Sequence, residues 1–151
     1  MICPNATLEA GIYMEQVIGV DPGRDKCGVA VLAADCTVLL QQVIKTADLL
    51  EKIGLMMEKY EAVTLVLGNG TTSESVQKSV GERYPRLRVK VVDEYYTTQL
   101  ARQEYWQAKP PQGWRRLLPV SMQVPPEPVD DFVAVILARR YLQEQKEDNN
   151  G

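Results

Sequence analysis

The chain contains no histidine. That absence excludes serine-histidine-aspartate hydrolysis, cysteine-histidine chemistry, histidine-based zinc sites and imidazole acid-base catalysis at once. Any enzyme here works with carboxylates, lysines, tyrosines or a metal ion. Cysteine is scarce: Cys3, Cys27 and Cys36 are odd in number, form no CxxC pair, and two of them lie in apolar strand-like runs. They read as buried reduced thiols, and a reducing, cytoplasmic compartment is expected. Long apolar runs are missing too. No stretch reaches the roughly 18 apolar residues of a membrane span, and the opening residues have neither a basic start nor a continuous apolar segment, which argues against a secretory signal. Nor is there a surplus of positive charge. With 17 Lys and Arg against 20 Asp and Glu the formal net charge is -3, unlike a dedicated nucleic-acid-binding module, whose basic surface displaces counterions. Such contacts would fall to local clusters: Arg24 with Lys26; Arg83, Arg86, Arg88 and Lys90; Lys109, Trp114, Arg115 and Arg116. Each cluster reads equally well as scattered solvated charge.

What is present suits one ordinary globular domain: 151 residues, 45% hydrophobic and 25% charged, enough for a single core. The pattern predicts a flexible leader over 1–14, one domain over 15–144 and a flexible tail over 145–151. Three strand-like runs, Val17 to Val20, Cys27 to Ala33 and Thr37 to Ile44, are joined by Pro-Gly and Ala-Asp turn signals and predict an antiparallel meander. Alternation follows: a helix from Ala47 to Tyr60, a strand from Ala62 to Leu67, and a helix opened by Thr71, Thr72 or Ser73 and running to about Tyr84. A fifth strand, Arg88 to Val92, leads into Asp93-Glu94, then come a helix from about Thr97 to Gln107 and an apolar final helix from Asp131 to about Gln143. Lys109 to Pro128 holds six prolines and a glycine, an irregular loop long enough to suggest function. Right-handed crossovers make the second half parallel, so a five-stranded mixed sheet with helices on both faces is expected.

The chemistry sits at strand ends. Asp21 closes a buried run and turns at once through Pro22-Gly23, while Asp93-Glu94 and Asp130-Asp131 supply two further acidic pairs. Each also has a plain structural reading. Asp21 suits a turn, Glu94 a surface position, and Asp130 and Asp131 the cap and first turn of a helix. Thr97 and Thr98 suit a helix cap or phosphate contact. Gly68-Asn69-Gly70 with the hydroxyls after it is a weak anion-cradle signal, and Trp114 with Arg115 and Arg116 could stack on unpaired bases or pin its loop to the core.

Three segments in order, IGVDPGRDKCGVAVL, VVDEYYTTQLARQ and VDDFVAVILARRYL, resemble the RNase H-like superfamily and, within it, the YqgF/RuvX group of resolvase-like nucleases. The resemblance runs from about Gln16 to Gln143. It implies sheet order 3-2-1-4-5 and a nuclease dependent on Mg2+ or Mn2+ that acts on structured nucleic acid, either in 5' processing of pre-16S rRNA or on branched DNA. It implies Asp21, Glu94 and Asp130 as metal ligands, with Asp131 able to share or take the third place. From the local basic, hydroxyl and aromatic patterns, Arg24, Lys26, Asn69, Thr98, Trp114 and Arg115 are the expected substrate contacts. In that order the first and fifth strands lie two spacings apart, about 9–10 Å, a gap that two hard cations can fill. Departures are visible as well: Gly68-Asn69-Gly70 stands where Gly-Leu-Pro is common, Tyr95 where an arginine usually follows Asp-Glu, and Arg24 in place of a small hydroxyl residue. The acidic balance and these departures also fit a catalytically silent RNase H-like module that binds nucleic acid or a protein. The Asp-x-Gly hairpin alone would fit a sugar-kinase-type nucleotide domain. Oligomeric state stays open, a homodimer included.

Overall fold

The computed structural model describes residues 16–94, 97–111, 113, 117, 125 and 129–150. Five strands, β1 (Val17–Asp21), β2 (Lys26–Leu32), β3 (Val38–Lys45), β4 (Thr64–Gly68) and β5 (Arg88–Val92), form one sheet in the order β3-β2-β1-β4-β5. Among the described residues four α-helices accompany them: α1 (Leu49–Tyr60), α2 (Ser73–Arg83), α3 (Thr97–Ala108) and α4 (Asp130–Asn150). β1, β2 and β3 pair antiparallel, while β4 runs parallel to β1 and β5 parallel to β4. The mixed sheet and its expected order are both present.

Period-two burial splits the sheet between two cores. Ile18, Val20, Cys27, Val29, Val31, Leu65 and Leu67 pack with Leu49, Ile53 and Met56 of α1 and with Val76 and Val80 of α2. The buried spacing on α1, every third or fourth residue, is that of an amphipathic helix lying on a sheet. On the other face Val17, Ala30, Leu32 and Val66 meet Val133, Ala134, Leu137, Ala138 and Tyr141 of α4, with Ala101 of α3 behind. Central strands buried on both faces explain the nearly unbroken apolar runs of β1 and β4.

Local differences from the sequence reading have simple causes. A 3-10 turn, Thr46–Asp48, precedes α1, so the helix starts at Leu49. The side chain of Thr72 makes no capping bond at α2; instead the backbone N–H of Ser73 donates to Gly70 O at 3.0 Å. α4 starts one residue before the predicted Asp131 and continues beyond Gln143 to Asn150, because polar residues sustain a helix once an apolar segment has nucleated it. Most of the proline-rich segment, with Trp114, Arg115 and Arg116, lies outside the described residues, as does the predicted leader. Among the described residues no helix is long and apolar enough to cross a membrane.

Candidate active site

Because β1, β4 and β5 run parallel, their carboxyl ends share one edge of the sheet, where open α/β folds place their chemistry. Asp21 is the last residue of β1. The Pro22-Gly23 turn after it is held from below: Thr46 Oγ1 donates to Gly23 O at 2.9 Å, the Thr46 amide donates to Asp25 O at 2.9 Å, and the Cys27 thiol lies 3.2 Å from Thr46 Oγ1. Cys27 is buried and unpaired by disulfide, the role its setting in an apolar run suggested.

Glu94 follows β5 by two residues, and its carboxyl group lies over Gly68 at the end of β4. A β-carbon at Gly68 would run into Glu94 Oε1, so only glycine leaves the strand between β5 and β1 open to this side chain. The Glu94 backbone is pinned on both sides. Its N–H donates to Asn69 Oδ1 at 3.2 Å, and its carbonyl accepts from Thr97 N at 3.0 Å and Thr97 Oγ1 at 2.7 Å. Arg140 of α4 adds a tie one residue earlier, donating to Asp93 O at 2.9 Å.

The third acid arrives with α4. Its first residue, Asp130, sits directly on β2 at Gly28, where a β-carbon would run into the Asp130 carbonyl and the Asp131 amide. Asp130 faces Asp21. Asp131 turns to β3 instead: its Oδ2 accepts from Gln41 Nε2 at 3.2 Å and its Oδ1 from Phe132 N at 3.0 Å. The two registers left open by the sequence are thus separated in space.

Burial, the negative charges of Glu94 and Asp130, and hydrogen bonding to both push Asp21 up to about 8. Asp130 is raised as well, chiefly by burial and by the Asp131 charge, against the opposing hydrogen bond from Asp21 and the Lys26 charge. Without a cation this edge therefore stores a proton on Asp21 at neutral pH. Among the described residues no three acidic side chains are arranged to grip one ion as they stand. The donor set nevertheless fits a hard divalent ion. It consists of carboxylate oxygens alone, and Glu94 Oε1 is buried with no hydrogen-bond partner, an arrangement that is costly unless something positive meets it.

The stored proton makes stability depend on pH. The folded-state value for Asp21 lies above the ordinary 3.8, so its contribution to stability is complete below that value and is lost as pH rises through about 8. In EDTA the chain should melt about 5 °C lower at about pH 8.5 than at about pH 5.5, and Asp21→Asn should remove most of the difference. Equal pH dependence in both proteins would show that Asp21 holds no such proton.

Of the other expected contacts, Arg24, Lys26, Asn69 and Thr98 are exposed. Lys26 is close enough to act on Asp130, and Asn69 is engaged with the Glu94 backbone. Trp114 and Arg115 lie outside the described residues. The supporting roles of Gly28, Gly68, Gln41 and Arg140 escaped the sequence reading. An isolated glycine inside a strand run is a legible sign of close backbone approach, whereas Gln41 and Arg140 carry no local signal.

No family model matches the chain. A curated protein of Bacteroides thetaiotaomicron described as "Putative pre-16S rRNA nuclease" is 26% identical over 147 residues, covering 88% of this chain and 99% of that protein. Among solved structures, T. thermophilus RuvC in complex with a Holliday junction substrate superposes with a TM-score of 0.53 at 14% identity, covering 87% of this chain and 96% of that one. Shared sequence over nearly a whole relative and a shared sheet topology agree with the resemblance carried by the three motifs. The chain has the RNase H-like fold of RuvC and is similar over most of its length to the Bacteroides thetaiotaomicron protein described as "Putative pre-16S rRNA nuclease".

Proposed function

We propose that this chain is a divalent-metal-dependent nuclease that hydrolyses phosphodiester bonds of structured nucleic acid, with Asp21, Glu94 and Asp130 as its metal ligands. The observation that carries the reading is the meeting of Asp21 with Glu94 and Asp130, 73 and 109 positions further along the chain, at one edge of one sheet. The homologue's description and the fold shared with a junction-bound resolvase support the same class.

In this reading the residues divide the work by position. Asp21, on the rigid central strand, is the shared ligand, and Glu94 reaches it across the opening at Gly68. Asp130 closes the site from the start of α4, and Asp131 is held back by Gln41 as a neighbour that keeps the local charge negative. Bound Mg2+ or Mn2+ would supply activation of the attacking water and stabilisation of the leaving oxygen. Loading requires Asp21 to give up its proton. Burial of Asp21 at the end of the central strand keeps its carboxylate poorly hydrated.

Labelled RNA hairpins with a 5' single-stranded extension and four-way DNA junctions, incubated with Mg2+ or with EDTA, test this. Cleavage of at least one substrate in Mg2+ and none in EDTA is the expected result, accompanied by a rise in melting temperature with Mn2+. Tight binding of both substrates with no metal-dependent turnover would favour the silent binding module instead. The observation on its side is that no three acids among the described residues are already arranged around an ion.

A further inference from the structure

Beside the start of α4 the sheet has a strip along β3 that is left partly open. In the β2-β3 pairing Lys26 lies directly opposite Lys45, Gly28 opposite Val43 and Ala30 opposite Gln41. Alternation puts all six on the sheet face that α4 packs against, since Ala30 and Leu32 belong to the α4 core while Cys27, Val29 and Val31 belong to the other. The strip is a groove of about 610 Å³, lined by Lys26, Gln41, Val43, Lys45 and Asp131 among others. It begins at the acid edge, where Lys26 acts on Asp130, and leads away from it along β3.

Two lysines directly opposite each other on neighbouring strands repel. Both are exposed, and among the described residues neither closes an ion pair with an acid. Two cations facing each other across a polar groove offer an anion such as a phosphate two charges to meet. The groove has the room of a small-molecule site, which suits one or two nucleotides of a single strand. We infer that this groove is a phosphate track for a single strand flanking the cut, with Lys26 and Lys45 as a paired clamp and Gln41 and Val43 as its floor. The inference rests on the nuclease reading for its direction, because a strand in this groove is led straight to Asp130 and Asp21.

The test is fluorescence anisotropy with labelled 12-nucleotide single strands, one RNA and one DNA of the same sequence, in EDTA so that binding is read without turnover. The double variant Lys26→Gln/Lys45→Gln should bind about tenfold more weakly, and the slope of log affinity against log salt should fall by about 0.7 for each lysine removed. Lys26→Arg/Lys45→Arg should restore most of both, and Lys78→Gln, on the exposed side of α2, should change affinity by less than about twofold. Each lysine is also replaced singly, so that a folding defect in the double variant does not hide the result. Unchanged affinity and slope in the glutamine variants, or an equal loss in Lys78→Gln, would overturn the track. A larger effect with one strand type identifies the sugar it takes. If the lysine variants bind weakly while the unmodified chain shows no Mg2+-dependent cleavage, the track stands and the nuclease reading falls. If cleavage is metal-dependent but neither binding nor KM responds to the lysines, the opposite holds.

Discussion

Asp21→Asn should lower metal-dependent cleavage by about a thousandfold or more while leaving the chain folded. The amide keeps the shape of the side chain and removes the charge that a divalent ion requires, so the Mn2+-induced rise in melting temperature should vanish in the same variant. Metal-free behaviour should move the other way. Asp21 is the group most penalised by burial and by the Glu94 and Asp130 charges, and asparagine removes that penalty while still donating a hydrogen bond to either neighbour. In EDTA at about pH 8.5 the variant should melt roughly 4 °C above the unmodified chain. Loss of activity with gain of stability is the signature of a site strained by function. Unimpaired cleavage, or a loss of stability equal to an ordinary core defect, would each contradict the assignment.

Gly28→Ala should be the most damaging of the conservative backbone-side changes. A single methyl group there meets the carbonyl of Asp130 and the amide of Asp131, which belong to the backbone and not to a flexible side chain, so the first turn of α4 must lift. The cost is about 3 kcal/mol, or roughly 10 °C in a chain of this size. Cleavage should suffer further, because lifting α4 takes Asp130 from Asp21. Gly81→Ala supplies the contrast. Nothing lies within 4 Å of a β-carbon at Gly81, which sits exposed within α2, so alanine there should stabilise by about 0.5–1 kcal/mol. Similar melting temperatures for the two variants would show that α4 does not rest on β2 as described.

Much of the sheet was legible from short-range chemistry. Val17 to Val20 and Leu65 to Leu67 are apolar throughout because both strands are covered on both faces, and Pro22-Gly23 marks the turn that leaves Asp21 at a strand end. The acidic cluster was legible only through coincidence of position, since Asp21, Glu94 and Asp130 have no neighbour in sequence that marks them as partners. What stayed hidden depends on distant residues. The side chain of Asp131 bonds to Gln41, 90 positions away, while Asp130 faces Asp21, and the setting of Glu94 depends on Gly68 and Arg140 from other elements. The boundary of α1 moved because Thr46 serves the Asp21 turn through its hydroxyl and so lies in a tighter turn before the helix.

The position of Asp130 at the head of α4, far from β1 in the chain, also bears on timing. A growing polypeptide that has finished its sheet but not its last helix holds Asp21 and Glu94 without their third companion, with the groove between sheet and helix unformed. The acid cluster of Asp21, Glu94 and Asp130 would then be complete only when synthesis has passed α4 and that helix has docked.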